Sequence, residues 1–197
     1  MAEITATEIS KLRQKTGLPM MEVKSALVEA DGNEEKAIEI LRKKGMAKSE
    51  KRADRTTSNG VIDSYVHGGR IGVLTEVLCE TDFVAKNEDF KNFAHEVSLQ
   101  IVASAPKYVK AEEIPADELE AEKKIYIAQV KESGKPENII DKIVEGKLGT
   151  YYAQVCLLNQ PYFRDPKITI SDLLNEFVTK TCENIVISRF VRLELVC

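Results

Sequence analysis

The chain has 197 residues, and its 43% hydrophobic and 30% charged residues are typical of a globular protein. The 28 basic and 32 acidic residues give a net charge of −4 at pH 7, which argues against a general nucleic-acid-coating protein. No apolar run approaches the roughly 18 residues of a membrane helix, and the first residues lack the basic and apolar regions of a signal peptide. We therefore expect a cytoplasmic protein without a membrane partner.

The sequence lacks the signatures of common enzymes. Its cysteines are too widely spaced for a CxxC redox or zinc motif: Cys79, Cys156, Cys182 and Cys197. His95-Glu96 begins an HExxH-like string, but Leu99 stands where the second histidine is needed. We predict a protein that is not an enzyme, holds no metal or cofactor, and works by binding another macromolecule.

Residues 1–46 are predicted to form a domain of three short helices. Apolar residues recur at helical spacing in three segments: Ile9 and Leu12, then Met20, Val23, Ala26 and Leu27, then Ala37, Ile38 and Leu41. Gly17 and Pro19 separate the first two helices, Asn33 is the N-cap candidate of the third, and Gly45 is expected to end it. The connections are only about 3–5 residues long, so neighbouring helices must pack together.

A basic segment follows the three helices. From Arg42 to Arg55 there are seven basic and two acidic residues, a local charge of +5. Two interpretations stay open: a solvated linker, which is favoured because charge runs are common in linkers, or a patch for an acidic partner or RNA. Both make residues 47–58 a domain boundary.

Residues 59–197 are predicted to form a second, α+β domain. A strand over Val61–Val66 and an alternating strand over Ile71–Cys79 flank a turn at His67-Gly68-Gly69-Arg70. The chain ends in a β-like run, Ile185–Val196. This order predicts a three-stranded antiparallel sheet with helices on one face.

Several helices are expected between the hairpin and the last strand. The first has Asn87 as its N-cap and ends at Pro106. An exposed helix over 112–132 follows. The remaining predicted helices run from Pro136 to Gly146, over Tyr151–Leu158, and from a cap at Ser171.

The segment Cys79–Asn87 joins the second strand to the next helix. Judged by residue type alone, Phe83 is more typical of a core residue than of a binding residue. Asp82 is more typical of a cap or turn than of a functional acid. Physical reasoning from the residues alone leaves this segment an ordinary loop.

The same segment resembles a known family. Thr81-Asp82-Phe83-Val84-Ala85, following Glu76–Glu80, resembles the signature of elongation factor Ts. Further matching segments occur in order along the chain: Leu12–Gly17, Met20–Leu27, Ala37–Gly45, Asn59–Ile62, Lys135-Pro136, Lys142–Lys147, Leu157–Pro161, Asp165–Lys167 and Arg189–Arg192. The resemblance covers nearly the whole chain. Longer members carry a second core subdomain and a helical insertion, so this chain resembles the compact form with one core subdomain.

The resemblance implies guanine-nucleotide exchange on elongation factor Tu in translation elongation. It gives the N-terminal helices a ubiquitin-associated (UBA)-like fold and a place on the G domain of elongation factor Tu. The residues carried over for this docking are Arg13, Met20, Met21 and Lys24. It also implies that a loop enters the G domain beside its magnesium site and promotes GDP release. The residues of that loop are Thr81, Asp82, Phe83 and Val84. The rest of the core would hold the β-barrel domain of elongation factor Tu.

Two other functions and one assembly state complete the predictions. A UBA-like adaptor would use the first three helices alone, and an RNA-associated translation protein would use the basic segment 42–55. Neither nucleic-acid binding nor adaptor function is favoured. The last strand has apolar residues on both faces, which predicts a homodimer formed through the sheet. Arg189, Arg192 and Glu194 interrupt these faces and are the main argument against the dimer, unless they pair across its interface.

Overall fold

The computed structural model of the protein describes residues 4–132 and 137–195. These residues form eight α-helices and three β-strands: α1 (Ala6–Thr16), α2 (Met20–Glu29), α3 (Glu34–Glu50), β1 (Asn59–His67), β2 (Ile71–Cys79), α4 (Asp82–Lys86), α5 (Glu88–Ser104), α6 (Ala116–Glu132), α7 (Glu137–Val155), α8 (Ile170–Thr181) and β3 (Ile185–Glu194). The strands form one antiparallel sheet in the order β1-β2-β3. The predicted α+β class is confirmed.

The chain divides into two compact units. The first contains the residues up to Val61 together with Val77–Lys91 and Asp172–Val186. The second contains Ile62–Glu76, Asn92–Ser171 and the residues from Ile187 onward. The division into residues 1–46, 47–58 and 59–197 stays a prediction.

Local capping signals bound the helices α1 and α3, and among them Gly17 and Asn33 are the expected ones. Thr5 and Glu8 make a reciprocal capping box at the start of α1, and Gly17 ends that helix in the left-handed conformation with φ of 67°. The Asn33 side chain accepts a hydrogen bond from the Lys36 N–H at 2.9 Å and so caps α3. A shared core buries apolar residues of all three helices, among them Leu12, Val23, Ala26, Leu27, Ala37 and Leu41.

The predicted end of α3 at Gly45 is wrong, because the helix continues to Glu50. A Cβ atom at Gly45 would lie 2.9 Å from Thr179 Oγ1 of α8. Glycine is therefore needed at this position for a close approach of side chain to backbone, and it does not end the helix. The first part of the predicted linker 47–58 is consequently helical.

Much of the basic segment is paired with acidic groups in the same unit. Arg42 contacts Glu176 at 3.3 Å, and Lys44 contacts Glu29 at 2.5 Å. Two further ion pairs join Lys43 to Glu39 at 2.8 Å and Arg55 to Glu80 at 3.4 Å. Since these cations already face carboxylates, the net attraction of the segment for an acidic partner is smaller than the sequence count suggests.

One face of the sheet is covered and the other is open. In β2, Val73, Thr75, Val77 and Cys79 are buried, whereas Leu74 between them is 51% exposed. Helix α5 lies on the covered face, where Ser98 Oγ donates to Thr75 Oγ1 at 2.9 Å. In the first half of β3, Ile185 and Ile187 are buried, but Val191 and Leu193 further along are 54% and 70% exposed. Of these apolar side chains of the last strand, those in its first half are covered and those in its second half are exposed.

The helices α6 and α7 share a core that includes Val130, Ile140, Val144 and Leu148. The predicted break at Gly146 is wrong, because α7 runs on to Val155 and a short 3₁₀ turn, Leu157–Asn159, follows it. A Cβ atom at Gly146 would meet nothing within 4 Å, so this glycine lies on the open side of the helix. Burial of the opposite side outweighs the roughly 1 kcal/mol that a mid-helix glycine costs. The predicted start at Pro136 lies outside the described residues.

Candidate functional site

The Thr81–Val84 segment forms a single capped helical turn, the Thr81 turn. Thr81 is the N-cap of α4, and its hydroxyl accepts a hydrogen bond from the Val84 N–H at 3.4 Å. At the other end, the Asn87 side chain accepts a hydrogen bond from the Asp89 N–H at 2.9 Å and begins α5. A five-residue helix is too short to be stable alone, so its form depends on these caps and on its surroundings.

Phe83 projects into solvent from this turn. Its side chain is 83% exposed, whereas Phe90 in the next helix is fully buried. The expectation from residue type, that Phe83 belongs to the core, is therefore wrong. The local sequence does not distinguish the two phenylalanines, because exposure depends on which side of the turn faces the rest of the fold.

Asp82 and Lys86 form an ion pair along α4. The Lys86 ammonium lies 2.7 Å from Asp82 Oδ2, and this hydrogen bond lowers the pKa of the Asp82 carboxyl below its usual value. Asp82 is also in the first turn of α4, where a negative charge favours the helix. Thr81, not Asp82, is the N-cap, so of the two expected roles Asp82 has that of a turn residue.

A glutamate far away in the sequence holds the start of this turn. Glu183 Oε2 accepts hydrogen bonds from the backbone N–H groups of Glu80 at 3.2 Å and Thr81 at 3.1 Å. Glu183 Oε1 accepts a hydrogen bond from the Thr81 hydroxyl at 2.6 Å. Sequence analysis missed Glu183, and no motif around it could have revealed its contact with Thr81.

Asn184 and Asn59 extend this network to the chain that follows α3. The Asn184 side-chain amide donates to the carbonyl oxygens of Ala53 at 3.2 Å and Arg55 at 2.8 Å. The Asn184 N–H donates to Glu80 Oε1 at 2.6 Å, and the Asn59 amide donates to the Glu80 carbonyl at 2.8 Å. The network thus ties the 53–59 segment and the Thr81 turn to the start of β3.

Beneath the turn lies a buried cysteine. Cys79 Sγ donates to the Thr81 carbonyl at 3.2 Å. Burial raises the pKa of the Cys79 thiol to about 11, and the negative charge of Glu183 contributes to the shift. The thiol is therefore neutral near pH 7 and acts as a packing group.

The predicted docking residues are all on the surface of α1 and α2. Met20 is 51% and Met21 73% exposed, and Arg13 and Lys24 are exposed as well. Met21 and Lys24 line one shallow groove with Ser25, Val28 and Glu29. Met20 and Arg13 do not line that groove. The compact unit that contains these residues also contains the Thr81 turn.

Comparison with known proteins identifies the family. The sequence model of the family Elongation factor TS matches residues 6–196. The chain is 54% identical to Elongation factor Ts of Caldanaerobacter subterraneus subsp. tengcongensis, with 97% of this chain and 96% of the relative covered. It is 52% identical to Elongation factor Ts of Desulfosudis oleivorans, with 99% of both chains covered. The chain belongs to the elongation factor Ts family. Members of this family act as guanine-nucleotide exchange factors of elongation factor Tu, and the resemblance found from the motifs is confirmed.

The described residues of this elongation factor Ts family member contain neither a membrane-spanning helix nor a cluster of metal-binding side chains. Within 4–132 and 137–195, no helix is both long and apolar enough to cross a bilayer. In the same part of the chain, His, Cys, Asp and Glu side chains do not gather in groups of three or more that could hold a metal ion.

Proposed function

We propose that this chain releases GDP from elongation factor Tu by placing Phe83 in the G domain beside the magnesium and phosphate site. The observation that carries the proposal is that Phe83 is 83% exposed on a turn whose backbone is capped at both ends. Burial of a large exposed apolar side chain by a partner makes the free energy of binding more favourable. This favourable free energy can stabilise one specific conformation of the partner.

The exchange step is a coupling between two binding equilibria. GDP is held by backbone N–H groups around its phosphates and by a Mg²⁺ ion that belongs to the partner. If the Phe83 side chain fits only a conformer in which this site is distorted, its burial stabilises that conformer. The affinity for GDP then falls by the same free energy by which GDP weakens the binding of this chain. No covalent bond changes, so a catalytic constellation is not required.

Thr81, Asp82 and Val84 support Phe83 in this proposal. The Thr81 hydroxyl and the Val84 N–H close the turn, and Asp82 pairs with Lys86 on the same helical face. The preformed turn spares the complex the entropy cost of ordering a flexible loop.

Docking on the G domain is assigned to α1 and α2. Met20 and Met21 are exposed apolar side chains, which are adaptable at recognition surfaces, and Arg13 and Lys24 add positive charge. The exposed stripe of Met21, Lys24 and Val28 follows the three- and four-residue spacing of one helix face. We assign to these helices, as the UBA-like domain, the contact with the G domain of elongation factor Tu. To the rest of the core we assign the contact with its β-barrel domain.

A homodimer through the open face of the sheet is the second part of the proposal. Large apolar side chains are exposed on all three strands: Ile62 and Val66 on β1, Leu74 on β2, and Val191 and Leu193 on β3. Soluble proteins rarely leave so many neighbouring apolar groups in water, and a second copy presents the same surface. Within the chain, Arg189 pairs with Glu76 at 3.0 Å and Arg192 Nη1 with Glu194 at 2.6 Å, rather than across an interface. The Arg192 Nε atom is buried and has no hydrogen-bond partner among the described residues.

The other two functions are less well supported. The ion pairs of Arg42, Lys43, Lys44 and Arg55 with carboxylates of this chain weaken the case for RNA binding by the basic segment. An adaptor that used only α1, α2 and α3 would leave the exposed Phe83 unexplained. We therefore assign the chain to cytoplasmic translation elongation, with no direct nucleic-acid contact and no cofactor of its own.

The test is the release of fluorescent GDP from elongation factor Tu with increasing amounts of this chain. We expect the release rate to rise with concentration and to reach a plateau. Unchanged release, together with capture of a ubiquitin-like protein or with RNA binding that weakens steeply with salt, would refute the proposal in favour of one of the alternatives.

A further inference from the structure

One carboxylate makes three hydrogen bonds to the start of the Thr81 turn. Glu183 accepts three hydrogen bonds, two from the backbone N–H groups of Glu80 and Thr81 and one from the Thr81 hydroxyl, at 2.6–3.2 Å. Hydrogen bonds to an ionised acceptor are roughly twice as strong as those between neutral groups. The side chain thus fixes the backbone direction at the residue from which α4 begins.

The position of Glu183 is itself set by the end of α8. Cys182 has a left-handed conformation with φ of 60°, and its N–H donates to the Val178 carbonyl at 3.0 Å, which closes the helix. The following residue, Asn184, holds the carbonyls of Ala53 and Arg55 and the carboxylate of Glu80. Two consecutive side chains therefore connect the Thr81 turn with the segment that leads from α3 to β1.

We infer that Glu183 is a positioning residue for nucleotide exchange: it holds the Thr81 turn so that Phe83 is presented in the orientation that enters the partner. Phe83 itself has 83% of its surface in solvent, so its direction depends on the backbone beneath it. A turn released from Glu183 would hold Phe83 in the same orientation for only a fraction of the time, and the effective rate of insertion would fall to that fraction of its original value. This inference rests on the proposed function.

The test measures GDP release from elongation factor Tu at a series of concentrations of Glu183→Gln and Glu183→Ala. We expect the plateau rate to fall about tenfold or more for Glu183→Ala and less for Glu183→Gln, which keeps one acceptor oxygen. The concentration for half-maximal release should change little, because the α1 and α2 docking residues are unaltered. Glu39→Gln is the matched control, since Glu39 forms an exposed pair with Lys43 within α3.

Two measurements separate positioning from a general loss of structure. Hydrogen exchange of the Glu80 and Thr81 amides should accelerate in both Glu183 variants of the free protein, while the amides of α1 and α2 stay protected. Combining Glu183→Ala with Phe83→Ala should slow release no further than Phe83→Ala alone, because a side chain that is absent cannot be misplaced.

The outcomes distinguish this inference from the proposed function. If the unaltered chain does not accelerate GDP release, the proposed function fails. If it does, but the Glu183 variants keep the full plateau rate, the positioning role is overturned even where the two amides exchange faster. Losses of rate that simply add in the double variant would overturn it as well.

Discussion

Replacement of Phe83 by alanine is the sharpest test of the exchange mechanism. Phe83 is 83% exposed in the free protein, so its replacement removes little packing. Surface substitutions away from special features usually change the free energy of unfolding by less than about 0.5 kcal/mol, and alanine is the better helix former. The variant should therefore fold normally. A buried phenylalanine would instead lose about 3–5 kcal/mol of stability.

The effect on exchange should be large for the same reason. Full burial of a phenylalanine side chain contributes about 1.5–3 kcal/mol, and almost all of this is still available when the partner arrives. Losing about 2–3 kcal/mol of binding to the distorted conformer corresponds to about 30- to 150-fold slower GDP release. The loss belongs in the plateau rate, since docking by α1 and α2 is unaltered.

Stopped-flow measurement of fluorescent GDP release, with a thermal unfolding curve of each variant, provides the assay. Phe163→Ala is the matched control, because Phe163 is also an exposed phenylalanine, at 40%, but lies outside the Thr81 turn. Near-normal release by a folded Phe83→Ala protein at every concentration would refute the insertion mechanism. A large loss of thermal stability would instead assign Phe83 a structural role.

Three further predictions concern docking, assembly and thiol chemistry. Met21→Glu should raise the concentration needed for half-maximal GDP release and leave the plateau rate unchanged, because it alters only the proposed docking surface of α2. The proposed dimer should appear in light scattering at about twice the chain mass, and Leu74→Lys should convert it into a monomer, since this change places a charge in the open face of the sheet. Cys182 is exposed and should react quickly with a thiol reagent at pH 8, whereas Cys79 and Cys156, whose pKa values burial raises to about 11, should react only on unfolding.

Each of these experiments has its own control. Met46→Glu introduces the same charge on α3. An equal rise in the concentration for half-maximal GDP release in this variant would contradict a specific role for Met21. Ile125→Lys is the control for Leu74→Lys, since it places a lysine at another exposed apolar position, on α6, and should leave the dimer intact. A monomeric unaltered chain would contradict the dimer. The thiol experiment uses Cys197→Ser, and rapid labelling of more than one cysteine at pH 8 would contradict the burial of the other two.

Much of the local structure could be predicted because its causes lie within a few residues of each other. The strand β2 has the predicted bounds Ile71–Cys79, since alternation of apolar residues is a local property. Thr5 and Glu8, three residues apart, make the box that starts α1, and Asn33 caps α3 as expected. The Thr81–Ala85 motif and the further matching segments along the chain indicate the family without any tertiary structure.

What the sequence could not determine depends on contacts between distant residues. Gly45 lies inside α3, and a Cβ atom there would lie 2.9 Å from Thr179 Oγ1 of α8, so this glycine permits a close contact and does not end the helix. Phe83 is exposed although its residue type favours the core, because α4 turns it away from the fold. Glu183 meets Thr81 across 102 residues of sequence. Periodicity and capping describe neighbours along the chain, whereas these three features arise only when packing brings separate elements together, and tertiary structure alone decides them.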